Sequence, residues 1–527
     1  MPRRGESRAE RGDRLMSPRA ALSVANSVVG AVLGTAALVF IAQNMGPDTL
    51  GILGFAMATI GILSFLSDFG TGSVHVLQIK SGEDIGRCVG AYAIVRIVLL
   101  VMFAAVTYLL IGLWRDGITG SGALDSDATV DSMYVFLTYY VLLGISQIST
   151  HTFDALDKPA HVYVPSILEL VVRVSFIIYI ATSAWGTTPE GPALLASAYT
   201  AGVITSTLLV SVLMSRVRIS RPTREVMLRY VRSIAPVFVV SAIMILDLYL
   251  DKAVVGAFWG AHELGLYFGV QKMAVFVSVF SLSVATLILP SITTYFYRRD
   301  SAATWEIVNQ AERYVSLVVV PTAAFYLAYG TDIVRVFLGP EFVPAVRVMD
   351  VLVVSSTVVA LVLPLRSVIA GLGRPSTLFW IGVGGLFVQL VLLIVLVPER
   401  VLGVRMLGLG GLGAAFALFL GSIYHFFLLR YMAWKKSRIL PNSRSFKHVF
   451  AAAVMIGAMY VVDWAFLGEV GWLDFLVLVF VAVGSYGATA YLIGELDASD
   501  YRHFRALLNP QGTLHYVVSE LLGKRSQ

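Results

Sequence analysis

The 527-residue sequence is 57% hydrophobic and only 14% charged, with a mean hydropathy of +0.80. Soluble domains carry about 25% charged residues, so this composition excludes an ordinary soluble protein and describes a polytopic membrane protein. The net charge of +6 does not point to nucleic acid, because most of the 39 Lys and Arg fall in short segments between apolar runs. The single cysteine, Cys88, excludes an intrachain disulfide and a Cys-rich metal site.

The chain opens with a basic segment, 1–19, followed by an apolar run of about 25 residues without an A-x-A-like site. That run is too long for a signal-peptide core and reads as a retained first span. Fourteen helical spans are predicted in order: 20–44, 49–70, 88–113, 133–155, 161–183, 192–214, 234–258, 265–296, 314–330, 348–371, 376–397, 409–430, 448–467 and 473–493. The longest outer loop, 114–132, is short and acidic and leaves no room for a folded external domain. The larger inner connections are 215–233, rich in Arg, and 431–447, and the tail 494–527 reads as short amphipathic helices on the inner surface.

With the N-terminus inside, the inner segments hold 29 Lys and Arg, and the outer loops hold five: Arg115, Arg335, Arg347, Arg400 and Arg405. Five more, Arg96, Arg173, Lys252, Lys272 and Arg366, fall within spans. This bias supports fourteen spans in the cytoplasmic membrane with both termini cytoplasmic, since a missed span would reverse the later loops.

The sequence repeats itself. GPDTLGIL at 46–53 recurs as GAHELGLY at 260–267, an offset of 214. ALDKPAHVYVPSILELVVRVSFIIYI at 155–180 recurs as GLGRPSTLFWIGVGGLFVQLVLLIVL at 371–396, an offset of 216. The repeat unit is six spans, and an even number gives both halves the same orientation. The expected architecture is all-α: six-helix lobes at 20–214 and 234–430, a basic linker 215–233, and two appended helices with their linker within 431–493.

The charges in the spans do not follow the repeat. Arg173 falls on Gln389 and Asp251 on Ala37. The stretch MILDLYLDKAVVGAFWG, 244–260, carries Asp247, Asp251 and Lys252 inside an otherwise apolar run. A charge at membrane depth costs about 2.5–3.5 kcal/mol even on lenient insertion scales. Asp251 and Lys272 lie about equally far from the turn between the seventh and eighth spans, so they are candidate partners. Asp247 and Asp251 share one helix face. The group is either a static ion pair tying two helices or an ion- or proton-sensitive gate.

The segments LSDFGTGSVHVLQ (66–78), DKAVVGAFWGAHELGLYFGVQKMA (251–274), AGLGRP (370–375), GLGGLGAAFAL (408–418) and GPEFVPAVRVMDVL resemble the polysaccharide transporter (Wzx-like oligosaccharide flippase) family of the multidrug/oligosaccharidyl-lipid/polysaccharide exporter superfamily. The resemblance covers about 20–432 and implies a V-shaped pair of lobes around a central cavity, alternating access, and lipid-linked oligosaccharide as substrate. It also implies a cationic cavity for the carrier pyrophosphate, for which Arg96, Arg173 and Arg366 are candidates; Arg suits the task through bidentate hydrogen bonds. The alternatives are pairing with Asp68, Glu169 or Asp154, and for Arg366 snorkelling at the inner end of its span.

Gly408 to Gly413 fit GxGxxG, but no strand precedes them, so close packing of helices explains them better than a dinucleotide. No Walker A loop, HExxH motif or Asn-x-Ser/Thr sequon occurs. His75, His151, His161 and His262 lie near span ends and read as interface residues. No enzymatic activity, cofactor or metal is expected. The expected partners are the lipid-linked oligosaccharide, membrane lipids, and glycosyltransferases or a polymerase of the same pathway, with the chain acting as a monomer. The competing readings are a cation-coupled multidrug exporter on the same fold, a lipid-linked peptidoglycan-precursor flippase, and a membrane-embedded glycan polymerase or glycosyltransferase. The short outer loops argue against the enzyme.

Overall fold

The computed structural model describes residues 18–115, 126–297, 301–371, 373, 375–437, 444–468 and 471–496. The basic N-terminal segment and nearly all of the tail read as amphipathic lie outside these residues. A bilayer offers no water to backbone groups, so a spanning chain must satisfy them within its own helices. The helices are α1 (Pro18–Leu63), α2 (Phe65–Asp68), α3 (Thr71–Lys80), α4 (Ile85–Arg115), α5 (Asp127–Ala155), α6 (Pro159–Thr182), α7 (Gly191–Met214) and α8 (Arg224–Tyr297). They continue with α9 (Ser301–Ala328), α10 (Gly330–Phe337), α11 (Val346–Gly371), α12 (Pro375–Leu396), α13 (Gly410–Ser437), α14 (Ser445–Phe466) and α15 (Trp472–Leu492). A two-residue antiparallel ladder, Arg400–Val401 with Val404–Arg405, closes the turn between α12 and α13.

Two helices turn a corner without a loop. α1 breaks at Gly46 (φ 74°, ψ −178°) and α8 at Gly260 (φ 83°, ψ −170°). This backbone region is essentially open only to glycine. The two residues are separated by the repeat offset of 214, so the duplication seen in sequence is a duplication of backbone geometry. Among the described residues, up to twelve helices or bent pairs are long and apolar enough to cross a membrane. Dividing α1 and α8 at their glycines yields the fourteen expected spans. The protein is an all-α, multi-pass membrane protein.

The described chain forms two compact units, one chiefly Val28–Gly269 with Leu390–Ala414, the other chiefly Val270–Gln389 with the chain from Ala415 onward. In the first, α7 packs along α5 and α6, and the short α3 lies against α4 and α5. Val74, Cys88, Tyr92 and Tyr230 belong to its core. In the second, α9 packs against α11 and α14, and α14 against α15.

The two appended helices are thereby docked on α9 and α10. Near one end Phe337 meets the rings of Trp472 at 4.9 Å and Phe475 at 5.0 Å. Beyond the end of α15, the buried carboxylate of Glu495 receives Lys447 Nζ at 2.9 Å and Arg313 Nε at 3.3 Å. Burial alone would raise the Glu495 pKa. The hydrogen bond and charge of Lys447, with the charges of Arg444 and His448, outweigh burial and hold the carboxyl below its ordinary 4.5.

Replacing Gly46 or Gly260 by Ala forces a side chain into glycine-only backbone space and destabilises by about 1–3 kcal/mol each, read as a lower Tm in detergent. Gly34→Ala, inside α1 with open space around it, leaves Tm unchanged or raises it. Because the Glu495 pKa is depressed in the folded protein, its contribution is fully present above 4.5 and is lost as pH falls through the folded value. Limited proteolysis of α14–α15 should therefore accelerate on acidification in the native protein, whereas Glu495→Gln should be protease-sensitive already at neutral pH.

Candidate functional site

The spans of the first unit carry three sets of charged side chains. At the first, α2 ends at Asp68, and Phe69 (φ 46°) and Gly70 (φ 73°) adopt left-handed backbone before the chain resumes as α3. This break delivers the Asp68 carboxylate to Arg96 on α4. Asp68 Oδ1 accepts from Arg96 Nη1 at 2.5 Å and from Thr71 Oγ1 at 3.2 Å. Arg96 also donates to the Gly144 carbonyl at 3.3 Å and to Gln147. Its side chain is only 1% exposed, so this guanidinium is enclosed by its partners.

Close by, His75 is fully buried. Its ring lies 2.8 Å from Tyr230 Oη and 2.9 Å from Thr152 Oγ1, and stacks on Tyr92. His161 is also buried. Both lie near span ends, as expected, and their side chains are enclosed by the packed unit.

The second set is Arg173 on α6. Its guanidinium is 2.9 Å from Glu169 Oε1, one turn earlier, and 4.9 Å from the ring centre of Tyr199 on α7. Tyr139 on α5 packs edge-on to Tyr199, and the neighbouring Tyr140 shares a 2.8 Å hydrogen bond with Tyr249 on α8. Arg173 is 21% exposed and Glu169 16%, so here the guanidinium keeps an open side, whereas Arg96 is enclosed and its partner Asp68 is the more exposed member at 30%. At the repeat-related positions of the second half stand Gln389 and Gly385.

The third set lies on α8 and straddles the Gly260 corner. Asp251, 1% exposed, is 3.0 Å from Lys252 Nζ and accepts from Tyr267 Oη at 2.6 Å. Lys252 also donates to the Leu248 carbonyl at 2.8 Å. Lys252 and Tyr267 are thus partners of Asp251 beyond the candidate Lys272. Adjacent residues on a helix do not face one another, so Lys252 reaches Asp251 only by folding back over its own preceding turn. Tyr267 arrives because the second arm of α8 returns antiparallel to the first. Asp247 is exposed on the same arm; in the second unit Lys272 and Arg366 are also exposed. Among the described residues no three His, Cys, Asp or Glu converge to hold a metal ion.

The GxGxxG run has the packing role expected of it. Glu263 accepts from the Gly411 amide at 3.0 Å, and a methyl at Gly413 would lie 2.6 Å from the Leu396 carbonyl oxygen.

Fourteen spans, corners duplicated at a fixed offset, and charges paired inside the helical unit define a multi-pass membrane protein built on an internal repeat. Residues 20–296, more than half of the chain, match the model of the family described as "Polysaccharide biosynthesis protein", and the chain belongs to that family. It is 21% identical to the probable low-salt glycan biosynthesis flippase Agl15 of Haloferax volcanii over 339 residues. That match spans 63% of this chain and 66% of the relative, just under two thirds of its length. Among solved structures, the fold is similar to the lipid II flippase MurJ in an inward closed conformation, with a TM-score of 0.71 at 15% identity, covering 90% of this chain and 98% of that one. It is also similar to an inward-facing multidrug resistance MATE transporter, with a TM-score of 0.63 at 13% identity, covering 78% and 95%.

Asp251→Asn leaves the Lys252 ammonium buried without its counter-charge and should destabilise the protein by about 3–5 kcal/mol. The double replacement Asp251→Leu with Lys252→Met removes both charges and should recover most of that loss. A double-mutant cycle on thermal unfolding in detergent checks the coupling.

Proposed function

We propose that the protein is a flippase. In this reading it carries a lipid-linked oligosaccharide, the precursor of a polysaccharide or glycoprotein glycan, from the cytoplasmic to the outer leaflet of the cytoplasmic membrane by alternating access. Family membership supports the glycan pathway, and so does the name of the Haloferax relative. The observation that carries the reading is the Arg173–Glu169 pair, partly open and set among tyrosines in the middle of a span. The Arg96 guanidinium is enclosed and held by Asp68, Gly144 and Gln147 together, as suits a structural role. A pair left open in an apolar span is suited to exchange partners. The pyrophosphate of a lipid carrier offers two charged oxygen faces to a guanidinium, and Tyr139, Tyr199 and Tyr249 offer ring faces and hydroxyls to the first sugars.

In this mechanism the head group leaves the inner leaflet, displaces Glu169 from part of Arg173, and is carried while the lipid tail stays in the bilayer. Arg96 braces the wall through Asp68, and Arg366 on α11 is a further cation for the substrate. Asp247, Asp251, Lys252 and Lys272 form the gate or ion-coupling group, with Tyr267 reporting its charge to the second arm of α8. Both termini lie in the cytoplasm. The chain works as a monomer beside the glycosyltransferases or polymerase of its pathway, without catalysis of its own.

The test uses proteoliposomes loaded with fluorescent lipid-linked oligosaccharide. Arg173→Ala, at unchanged protein level, should slow translocation roughly ten- to a hundredfold, the loss of one charge-assisted contact of about 1.5–3 kcal/mol. Arg173→Lys should fall between Ala and native, because it keeps the charge and loses the fork. Glu169→Gln should retain transport. Native vesicles that export cationic drugs and leave lipid-linked glycan in place overturn the reading in favour of a drug exporter. Translocation of lipid-linked peptidoglycan precursor alone overturns it in favour of that substrate.

A further inference from the structure

The first turn of α14 reverses the usual electrostatics of a helix end. A helix N-terminus carries partial positive charge and favours acidic residues. Here Arg444 occupies the N-cap with no side chain capping the first amides, the first turn holds no acid, and Lys447 and His448 lie within it. These cations gather on the carboxylate of Glu495, beyond the end of α15. Lys447 Nζ lies 2.9 Å from it, Arg444 Nη1 3.9 Å and His448 Nε2 3.7 Å. From α9, Arg313 Nε reaches the same carboxylate at 3.3 Å, and the Ser316 hydroxyl is 2.8 Å from His448 Nδ1. Lys447 also donates to the Ile493 carbonyl at 3.4 Å, which brings the start of α14 to the end of α15. Among the described residues, three permanent cations thus converge on one carboxylate. Glu495 is buried and Arg313 largely so, whereas Arg444 and Lys447 are about half exposed, so the cluster turns a cationic side outward. The surface beside it is apolar: Phe446 and Phe450 on α14 and Leu492 on α15 are exposed.

We propose that this cluster binds the phosphate of an anionic phospholipid of the inner leaflet, with Arg444 and Lys447 on the phosphate and the acyl chains along Phe446, Phe450 and Leu492. The proposal goes beyond the flippase reading and is independent of what is transported; the leaflet follows from the orientation with both termini cytoplasmic. A phosphate diester offers charge-assisted acceptors to both cations and supplies the negative charge that the first turn of α14 lacks. Basic segments on an inner membrane face ordinarily meet anionic lipid as a diffuse field. Here the buried carboxylate holds the ammonium of Lys447 in place before any lipid arrives, so less freedom is lost on binding. A free anion would gain the charge contacts alone, whereas a lipid also covers the apolar rim. Arg313 belongs to α9 and Lys447 to α14, so a lipid held at this point reinforces the attachment of the appended helices to α9.

The experiment titrates the purified full chain, in neutral detergent, with phosphatidylglycerol or with phosphatidylcholine of the same acyl chains, and counts bound lipid by native mass spectrometry. One phosphatidylglycerol should be retained in preference to phosphatidylcholine. Arg444→Gln with Lys447→Gln should weaken that retention roughly ten- to thirtyfold, the loss of two headgroup charges. Lys447→Arg should keep it. Arg216→Gln with Arg218→Gln, which removes two exposed cations from the basic linker, should leave it unchanged. Equal retention of the two lipids overturns the site, as does native retention by the Arg444/Lys447 variant. An equal loss in the linker variant overturns it in favour of diffuse surface charge. A second readout guards against misfolding: phosphatidylglycerol should raise the Tm of the native chain by several degrees and leave that of the Arg444/Lys447 variant where it was. A rise of the same size with inorganic phosphate alone overturns the lipid in favour of a free anion.

Discussion

An ion taken out of water needs its counter-ion and its hydrogen bonds within reach, and in a membrane span those partners must come from the protein itself. Much of the local architecture answers that requirement. The break between α2 and α3 places Asp68 where Arg96 can reach it, and Gly144 and Gln147 complete the enclosure. The Gly260 corner brings Tyr267 back to Asp251. In the second unit Arg430 meets Glu312 at 2.8 Å. These are places where a helix end, a corner or a facing helix supplies what one straight helix cannot.

The spans were legible in the sequence because bilayer thickness and hydropathy impose their length, and the repeat was legible because the corner glycines have no substitute. Glu169 was legible as a partner of Arg173 because a one-turn spacing on a helix is a contact rule in itself. Lys252 was hidden from the same rule, since neighbours in sequence point apart and only a back-folded side chain unites them. The tyrosines beside Arg173 gave no signal either: Tyr in a membrane sequence reads as an interfacial anchor. Their convergence depends on how α5, α7 and α8 are packed. The partners of His75, Tyr230 and Thr152, gave no signal for a related reason, because the neighbours of a short helix after a span are set by packing.

Duplication fixed the scaffold and left the polar chemistry free to diverge. The offset that carries Arg173 onto the buried Gln389 also carries Arg96 onto Glu312, replacing a cation by a carboxylate. Glu312 then takes its cation from Arg430 on another helix, so neutrality is kept while the arrangement is new. The repeat thus keeps its corners at Gly46 and Gly260 in symmetric contact while its buried polar residues differ.

Those corners also have a mechanical meaning. A helix advances about 1.5 Å and turns about 100° per residue, and in α1 and α8 that regular winding is interrupted at a single residue. No slack chain lies between the arms, so any change of angle between them is confined to the two backbone dihedrals of one glycine. The two dihedral angles of Gly260 alone thus set the direction in which the second arm leaves the first.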